Sequence, residues 1–173
     1  MRGFLIYIIL NMHYSKIKNL DIANGDGIRV SLFVSGCRHH CKGCFNSETW
    51  DFNHGELYTE DTQSMILQLM DSETIHGLSI LGGEPLDVLN QETISSLILE
   101  VRKSFPEKNI WLWTGYTYGK DIPKTEYTDI IMKNIDVLID GEFKEDLKIP
   151  NLKYRGSSNQ RIILLNPDFK LVL

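Results

Sequence analysis

Short apolar runs alternate along this chain with longer segments in which apolar residues recur at helical spacing. The runs are rich in β-branched and aromatic residues and predict strands at 28–34, 78–81, 110–113, 137–139 and 161–165. The helical periodicity predicts helices at 59–72, 90–105 and 125–134. Glu60 and Asp61 favour the N-terminal end of the first helix, and Pro106 ends the second.

This alternation of strands and helices is typical of βαβ units, which build parallel sheets. Parallel strands are buried on both faces and should be almost continuously apolar, as these are. A closed eight-stranded barrel takes about 250 residues, which is more than this chain provides. We therefore expect an α/β fold with an open, partial (β/α) barrel of about five to six mostly parallel strands. A doubly wound sheet is the alternative.

Four polar segments that contain glycine follow predicted strands, each at the carboxyl end of its strand. They are 36–44, 82–85, 114–116 and 140–143. In parallel α/β folds ligands bind at that edge of the sheet, and glycine lets the backbone approach them without a Cβ. Taken singly, three of the segments are also typical of ordinary turns. Their agreement on one edge predicts a binding site there.

The first of these segments contains the chain's three cysteines, Cys37, Cys41 and Cys44, in a C-x3-C-x2-C pattern. Such spacing is typical of metal ligands rather than of a disulfide framework, and it indicates a reducing compartment. Three thiolates leave one position of a four-ligand centre open. A 4Fe–4S cluster suits this loop better than a zinc site closed by a histidine, which is the alternative. Three histidines are expected to be solvated loop residues: His39, His40 and His54.

Composition narrows the class of protein further. Hydrophobic residues make up 42 % and charged residues 24 %, as in soluble globular proteins. The net charge is −5 and no basic block is present, which argues against nucleic-acid binding. An apolar run at 3–10 is shorter than the roughly 20 residues that span a bilayer. We expect residues 1–11 to be a non-native or disordered extension, with an extra edge strand as the alternative. Residues 12–173 are expected to form a single cytoplasmic domain without membrane contact.

The C-x3-C-x2-C pattern after the first strand, with Gly-Gly-Glu-Pro after the second, resembles the radical S-adenosyl-L-methionine (SAM) enzymes. Further stretches resemble the anaerobic ribonucleoside-triphosphate reductase-activating proteins, and the resemblance runs from about residue 12 to 166. These stretches are 24–29, 32–37, 44–46, 49–50, 111–116 and 154–161. Gly43 stands where many radical SAM enzymes have an aromatic residue, and the aromatic here is Phe45. That arrangement favours the reductase activators over the pyruvate formate-lyase activators.

The resemblance implies a partial barrel of the radical SAM type, with a 4Fe–4S cluster and SAM as cofactors. The three cysteines would ligate three irons, and SAM would chelate the fourth through its amino and carboxylate groups. Glu84 would be the partner of the SAM amino group. The implied cofactor-binding residues are Gly43, Cys44, Phe45, Gly82, Gly83, Glu84 and Thr114.

The implied activity is the activation of a glycyl-radical enzyme. The reduced cluster would cleave SAM to methionine and a 5′-deoxyadenosyl radical, which takes a hydrogen atom from a glycine near the C-terminus of the large reductase subunit. The implied partners are that reductase and an electron donor such as flavodoxin. The 155–161 loop is expected to contact SAM or the reductase, or to be plain surface. The alternatives are a radical SAM activase of another glycyl-radical enzyme and a zinc-binding interaction module.

Overall fold

Strands and helices alternate through most of the chain in this computed structural model, which describes residues 11–171. The predicted N-terminal extension lies outside the described residues except for Asn11. The elements are β1 (His13–Asp21), β2 (Arg29–Val34), β3 (Glu56–Leu57), α1 (Glu60–Met70), β4 (Gly77–Gly82), α2 (Gln91–Ser104), β5 (Asn109–Trp113), α3 (Thr128–Asn134), β6 (Val137–Asp140) and β7 (Arg161–Leu164). Short 3-10 helices occupy Ser47–Trp50 and Glu145–Leu147.

The strands of residues 11–171 form one open sheet in the order β3-β1-β2-β4-β5-β6-β7. Strands β2, β4, β5 and β6 are parallel, whereas β1, β3 and β7 join antiparallel at the two sides. The predicted α/β class and the open sheet are confirmed. The expectation of five to six mostly parallel strands is wrong, because the sheet has seven strands and only its centre is parallel.

The two faces of the sheet have different partners because side chains alternate across a strand. The main core includes Leu32, Ile80 and Leu112, which lie with buried residues of the three helices in one cluster. The parallel strands follow one another in chain order, and right-handed crossovers then place their helices on the same face. A doubly wound sheet has helices on both faces, so that alternative is not the observed fold.

The opposite face carries Phe33, Leu81, Trp111 and Trp113. Trp111 is fully buried in a second, smaller cluster with Val137 and Ile139, against which residues of the C-terminal segment pack. Towards the carboxyl ends of the strands this face is left uncovered and forms a cavity wall. No helix within residues 11–171 has the length and apolar character needed to cross a bilayer.

A buried arginine fixes the turn that joins β1 to β2. Arg29 is fully buried, and its guanidinium donates to the hydroxyl of Ser79 (2.6 Å) and to the carbonyls of Leu78 (2.8 Å) and Asp26 (2.8 Å). Burial lowers the pKa of Arg29 to about 10, which still leaves it charged at neutral pH. The preceding turn therefore has a fixed position, and Asn24 in that turn reaches the cavity.

Candidate metal centre and binding cavity

A cavity of about 550 Å³ lies at the carboxyl ends of the parallel strands. Phe33, Leu81 and Trp113 form an apolar part of its wall. The structure brings together here residues from all four of the segments that follow predicted strands. The predicted site residues that line the cavity are Cys37, Cys41, Cys44, Phe45, Gly82, Gly83, Glu84 and Thr114. Gly43 does not line it, because Gly43 faces Glu145, whose Oε1 lies 2.7 Å from where a Cβ would be.

The cysteine loop, which we define as residues 37–44, leaves the end of β2 through Gly36. Gly36 has φ +92°, and a Cβ there would lie 2.1 Å from the ring of Phe52, so only glycine fits this position. The N–H of Cys37 donates to the carbonyl of Trp50 (3.1 Å), which ties the start of the loop to the first 3-10 helix. Cys37 is buried, whereas Cys41 and Cys44 are half-buried.

Cys37 and Cys41 lie in an environment that disfavours the free thiolate. Burial raises the pKa of the Cys37 thiol to about 11, although the backbone N–H groups of His39 and His40 oppose that rise. Burial also raises the pKa of the Cys41 thiol. Metal coordination deprotonates a thiol outright, so a bound cation would supply the positive charge that stabilises the thiolates.

The donor set suits an iron–sulfur cluster. Three thiols of one loop line the same cavity, and thiolates are the ligands that hold 4Fe–4S clusters. Within residues 11–171, no three His, Cys, Asp or Glu side chains are close enough to hold a single metal ion. A closed zinc site needs four ligands at about 2.0–2.3 Å from one ion, whereas a cluster presents a separate iron to each thiolate.

Glu84 is the most highly connected side chain of the site, and it is only 1 % exposed. Its Oε1 accepts from the N–H of Leu86 (2.9 Å) and the hydroxyl of Thr114 (2.7 Å). Its Oε2 accepts from the N–H of Gly115 (2.8 Å) and from Nε2 of His39 (3.0 Å). A carboxylate has about four acceptor positions, so the hydrogen-bonding capacity of Glu84 is filled.

The expectation that His39 is solvated is wrong. Its side chain is 13 % exposed and lies edge-on to Tyr116, with 4.5 Å between ring centroids. The ring fits because Gly115 has no side chain: a Cβ there would lie 2.6 Å from the imidazole. The hydrogen bond to Glu84 raises the pKa of His39. His40 is exposed as expected and stacks on Trp50, and His54 is half-buried.

Gly82 and Gly83 line the cavity, but the backbone of β2 and its following turn already explains why they are glycines. A Cβ on Gly82 would lie 2.7 Å from the backbone N and O of Val34, and Gly82 has φ +108°. A Cβ on Gly83 would lie 2.7 Å from the carbonyl oxygen of Gly36. The absent side chains therefore let the turn after β4 pack against β2 and the start of the cysteine loop, whatever a ligand requires.

Several residues that line the cavity were not anticipated from the sequence. Lys16 and Lys18 come from β1, a strand whose polar residues interrupt any apolar run. Both ammonium groups lie over the ring of Phe33, at 4.6 and 5.4 Å from its centroid. The 155–161 loop, which was expected to contact SAM or the reductase or to be plain surface, contributes Arg155 and Gln160 to the wall. Phe45, in contrast, was expected from the family resemblance, and it lines the cavity with its side chain 70 % exposed.

Comparison with known proteins shows which class of protein this chain belongs to. Residues 23–163 match the family model of the 4Fe-4S single cluster domain, in agreement with the three-thiol loop. Similar proteins include activating proteins of anaerobic ribonucleoside-triphosphate reductases from three sources. That of Enterobacteria phage T4 is 44 % identical over 151 residues, which cover 87 % of this chain and 93 % of the relative.

The corresponding protein of Vibrio cholerae is 39 % identical over 153 residues, covering 87 % of this chain and 97 % of the relative. That of Escherichia coli K12 is 41 % identical over 152 residues, covering 86 % and 96 %. The chain therefore belongs to the family of anaerobic ribonucleoside-triphosphate reductase-activating proteins. The family resemblance described from the sequence motifs is confirmed.

Proposed function

We propose that this protein activates an anaerobic ribonucleoside-triphosphate reductase by generating a glycyl radical on its large subunit. The observation that carries the proposal is the convergence of three thiols and the Gly82–Glu84 turn on one cavity. When bound, a reduced 4Fe–4S cluster would supply the electron that cleaves SAM to methionine and a 5′-deoxyadenosyl radical, which abstracts the glycine hydrogen. The open sheet then acts as a partial barrel of the radical SAM type.

In this proposal Cys37, Cys41 and Cys44 hold three irons and leave the fourth for SAM. Gly82, Gly83 and Thr114 line the part of the cavity assigned to the amino end of SAM. Glu84 contributes negative charge there, and this charge attracts an ammonium group even though the carboxylate already has four donors. The contribution of Glu84 is therefore electrostatic as long as those donors stay in place.

The remaining wall residues exclude water and admit a polypeptide. Phe33, Leu81 and Trp113 give the cavity an apolar side, which protects a reactive radical from solvent. Phe45 lies at the same cavity with its ring largely exposed and is assigned to SAM. Because the sheet does not close, a loop of the reductase has access from the open side. An electron donor such as flavodoxin and a cytoplasmic location complete the proposal.

The test is SAM cleavage by anaerobically reconstituted protein, with and without the large reductase subunit. We expect a brown protein that holds iron and sulfide, forms 5′-deoxyadenosine after reduction and produces a glycyl radical signal on the reductase. A Cys41→Ser variant should lose both cluster and cleavage, while a Lys124→Ala variant, changed at an exposed ion pair, should retain them. Colourless protein with stoichiometric zinc would contradict the proposal.

The partner needs its own comparison, because another glycyl-radical enzyme is the alternative substrate. The same reconstituted protein is mixed with the anaerobic reductase and, separately, with a different glycyl-radical enzyme. Electron paramagnetic resonance should show a glycyl radical in the mixture with the reductase and none in the mixture with the other enzyme. A signal with the other enzyme and none with the reductase would assign the activase to that enzyme.

A further inference from the structure

Side chains hold the cysteine loop in place more than its backbone does. One backbone–backbone hydrogen bond involves residues 38–43, from the N–H of Cys44 to the carbonyl of Cys41 (3.2 Å). The two residues after the first cysteine instead reach other parts of the fold. Arg38 donates to Asp87 (2.9 Å), and the ring of His39 lies 3.0 Å from Glu84. Between its two ends, the conformation of the loop therefore depends on these two anchors together with the stacking of His40 on Trp50.

Both anchors end on the turn that follows β4. Glu84 and Asp87 are each 1 % exposed, and the N–H of Asp87 donates to the carbonyl of Glu84 (3.2 Å), so the turn is firmly positioned. The two loop residues differ in exposure, because the Arg38 side chain is 59 % exposed and that of His39 is 13 % exposed. Solvent screens the Arg38 contact far more than the His39 contact. His39 is therefore the stronger anchor.

The His39 ring lies in a slot built for it. Tyr116 covers one side, and the missing side chain of Gly115 leaves room for the imidazole. Nε2 faces the carboxylate of Glu84, so this nitrogen carries the hydrogen and donates. Nδ1 lies 3.9 Å from an oxygen of Glu142, which follows β6. The ring thus connects the cysteine loop to the ends of three parallel strands.

We infer that His39 is a positioning residue: by donating to Glu84 it fixes the cysteine loop and the spacing of the three thiols. The same contact commits an acceptor position of Glu84 to the loop instead of to a ligand. The inference rests on the proposed function, because it concerns the cluster site. Mutation of a residue that orients metal ligands without touching the metal typically lowers the metal affinity by 10–100-fold.

The experiment compares the reconstituted wild-type protein with His39→Ala, His39→Gln and Lys42→Ala. In His39→Ala, cluster loss to a chelator should be about tenfold faster, and the electron paramagnetic resonance spectrum of the reduced cluster should change. In His39→Gln, whose amide keeps an N–H donor, both properties should return towards the wild-type values. Lys42→Ala should match the wild type, because Lys42 lies in the same loop with a 91 % exposed side chain.

Two results would overturn the inference. One is a His39→Ala protein with wild-type cluster retention and an unchanged spectrum, and the other is a His39→Gln protein as impaired as His39→Ala. Thermal unfolding of the metal-free variants shows whether a loss is only one of folding, and the His39→Gln comparison still decides if His39→Ala is unfolded. Wild-type protein that holds the cluster but does not cleave SAM overturns the proposed function alone, since the retention comparison stands. Wild-type protein that takes up no cluster overturns both.

Discussion

Replacing Arg29 by Met tests whether a buried cation holds the central strands together. The guanidinium is the only donor group of its side chain, and it donates to Ser79, to the carbonyl of Leu78 and to Oδ1 of Asn109, at 2.6, 2.8 and 2.8 Å. A methionine of similar length fills the space but leaves the buried Ser79 hydroxyl and Leu78 carbonyl, and the half-buried Asn109 amide, without their donor. Each unsatisfied buried group costs about 1–3 kcal/mol, and removal of the buried charge offsets part of the sum.

We therefore expect Arg29→Met to lower the free energy of unfolding by about 3 kcal/mol. In a chain of this size that corresponds to a fall of roughly 6–12 °C in the unfolding midpoint. Arg29→Lys should be nearly as damaging, because an ammonium group cannot reproduce the planar fork of donors. Urea unfolding followed by tryptophan fluorescence is a direct measurement, since Trp111 lies 5.3 Å from the guanidinium carbon.

The control for this prediction is Lys124→Met, which removes a cation from an ion pair with Asp129 whose side chains are 74 % and 71 % exposed. That change should leave the urea unfolding midpoint almost unchanged, because solvent screens such an exposed pair. An Arg29→Met protein as stable as this control would refute the reasoning. It would mean that the acceptors around Arg29 find other partners, or that desolvation of the charge cancels its hydrogen bonds.

Three further changes have expected outcomes that the structure defines. Gly36→Ala should cost about 1–3 kcal/mol and reduce iron uptake, and adding Phe52→Ala should rescue it only in part, because removing the ring relieves the clash but φ +92° still strains any side chain. A Gly36→Ala protein with the thermal midpoint of the wild type would contradict this. Arg102→Ala should cost about 3 kcal/mol in urea unfolding, because Asp136 stays 3 % exposed without its cation. Phe45→Ala should leave the thermal midpoint unchanged but weaken SAM binding about 3–10-fold. Unaltered SAM affinity would show that the Phe45 ring does not contact SAM.

Periodicity predicted the elements that bury apolar side chains. The runs at 78–81 and 110–113 became β4 and β5, and the helical pattern at 90–105 became α2. Strand β1 was missed because its exposed residues include Lys16 and Lys18, so no apolar run marks it. An antiparallel strand beside a cavity needs only one buried side chain in two. When the other side chains are polar and face the cavity, the sequence contains no apolar run that would predict the strand.

The cavity could be predicted at the level of the sheet edge. Parallel strands place their carboxyl ends together, which is why the segments after β2, β4 and β5 meet around one cavity. The reason for the glycines at 82 and 83 could not be predicted in the same way. Their neighbours, Val34 at the end of β2 and Gly36 just after it, are distant in the sequence, and only the register of β2 with β4 brings them close.

The two adjacent histidines of the cysteine loop show where sequence reasoning stops. His39 and His40 share residue type and loop, yet one donates to a buried carboxylate and the other lies exposed on Trp50. The difference arises because His40 adopts φ +50°, which turns the chain between the two rings, and because Gly115 leaves space for only one of them. A C-x3-C-x2-C pattern thus predicts metal ligands, whereas the residues between the cysteines determine where the loop is attached. In this chain the attachment is the Glu84–Asp87 turn, so the turn expected to bind a ligand also holds the cysteine loop.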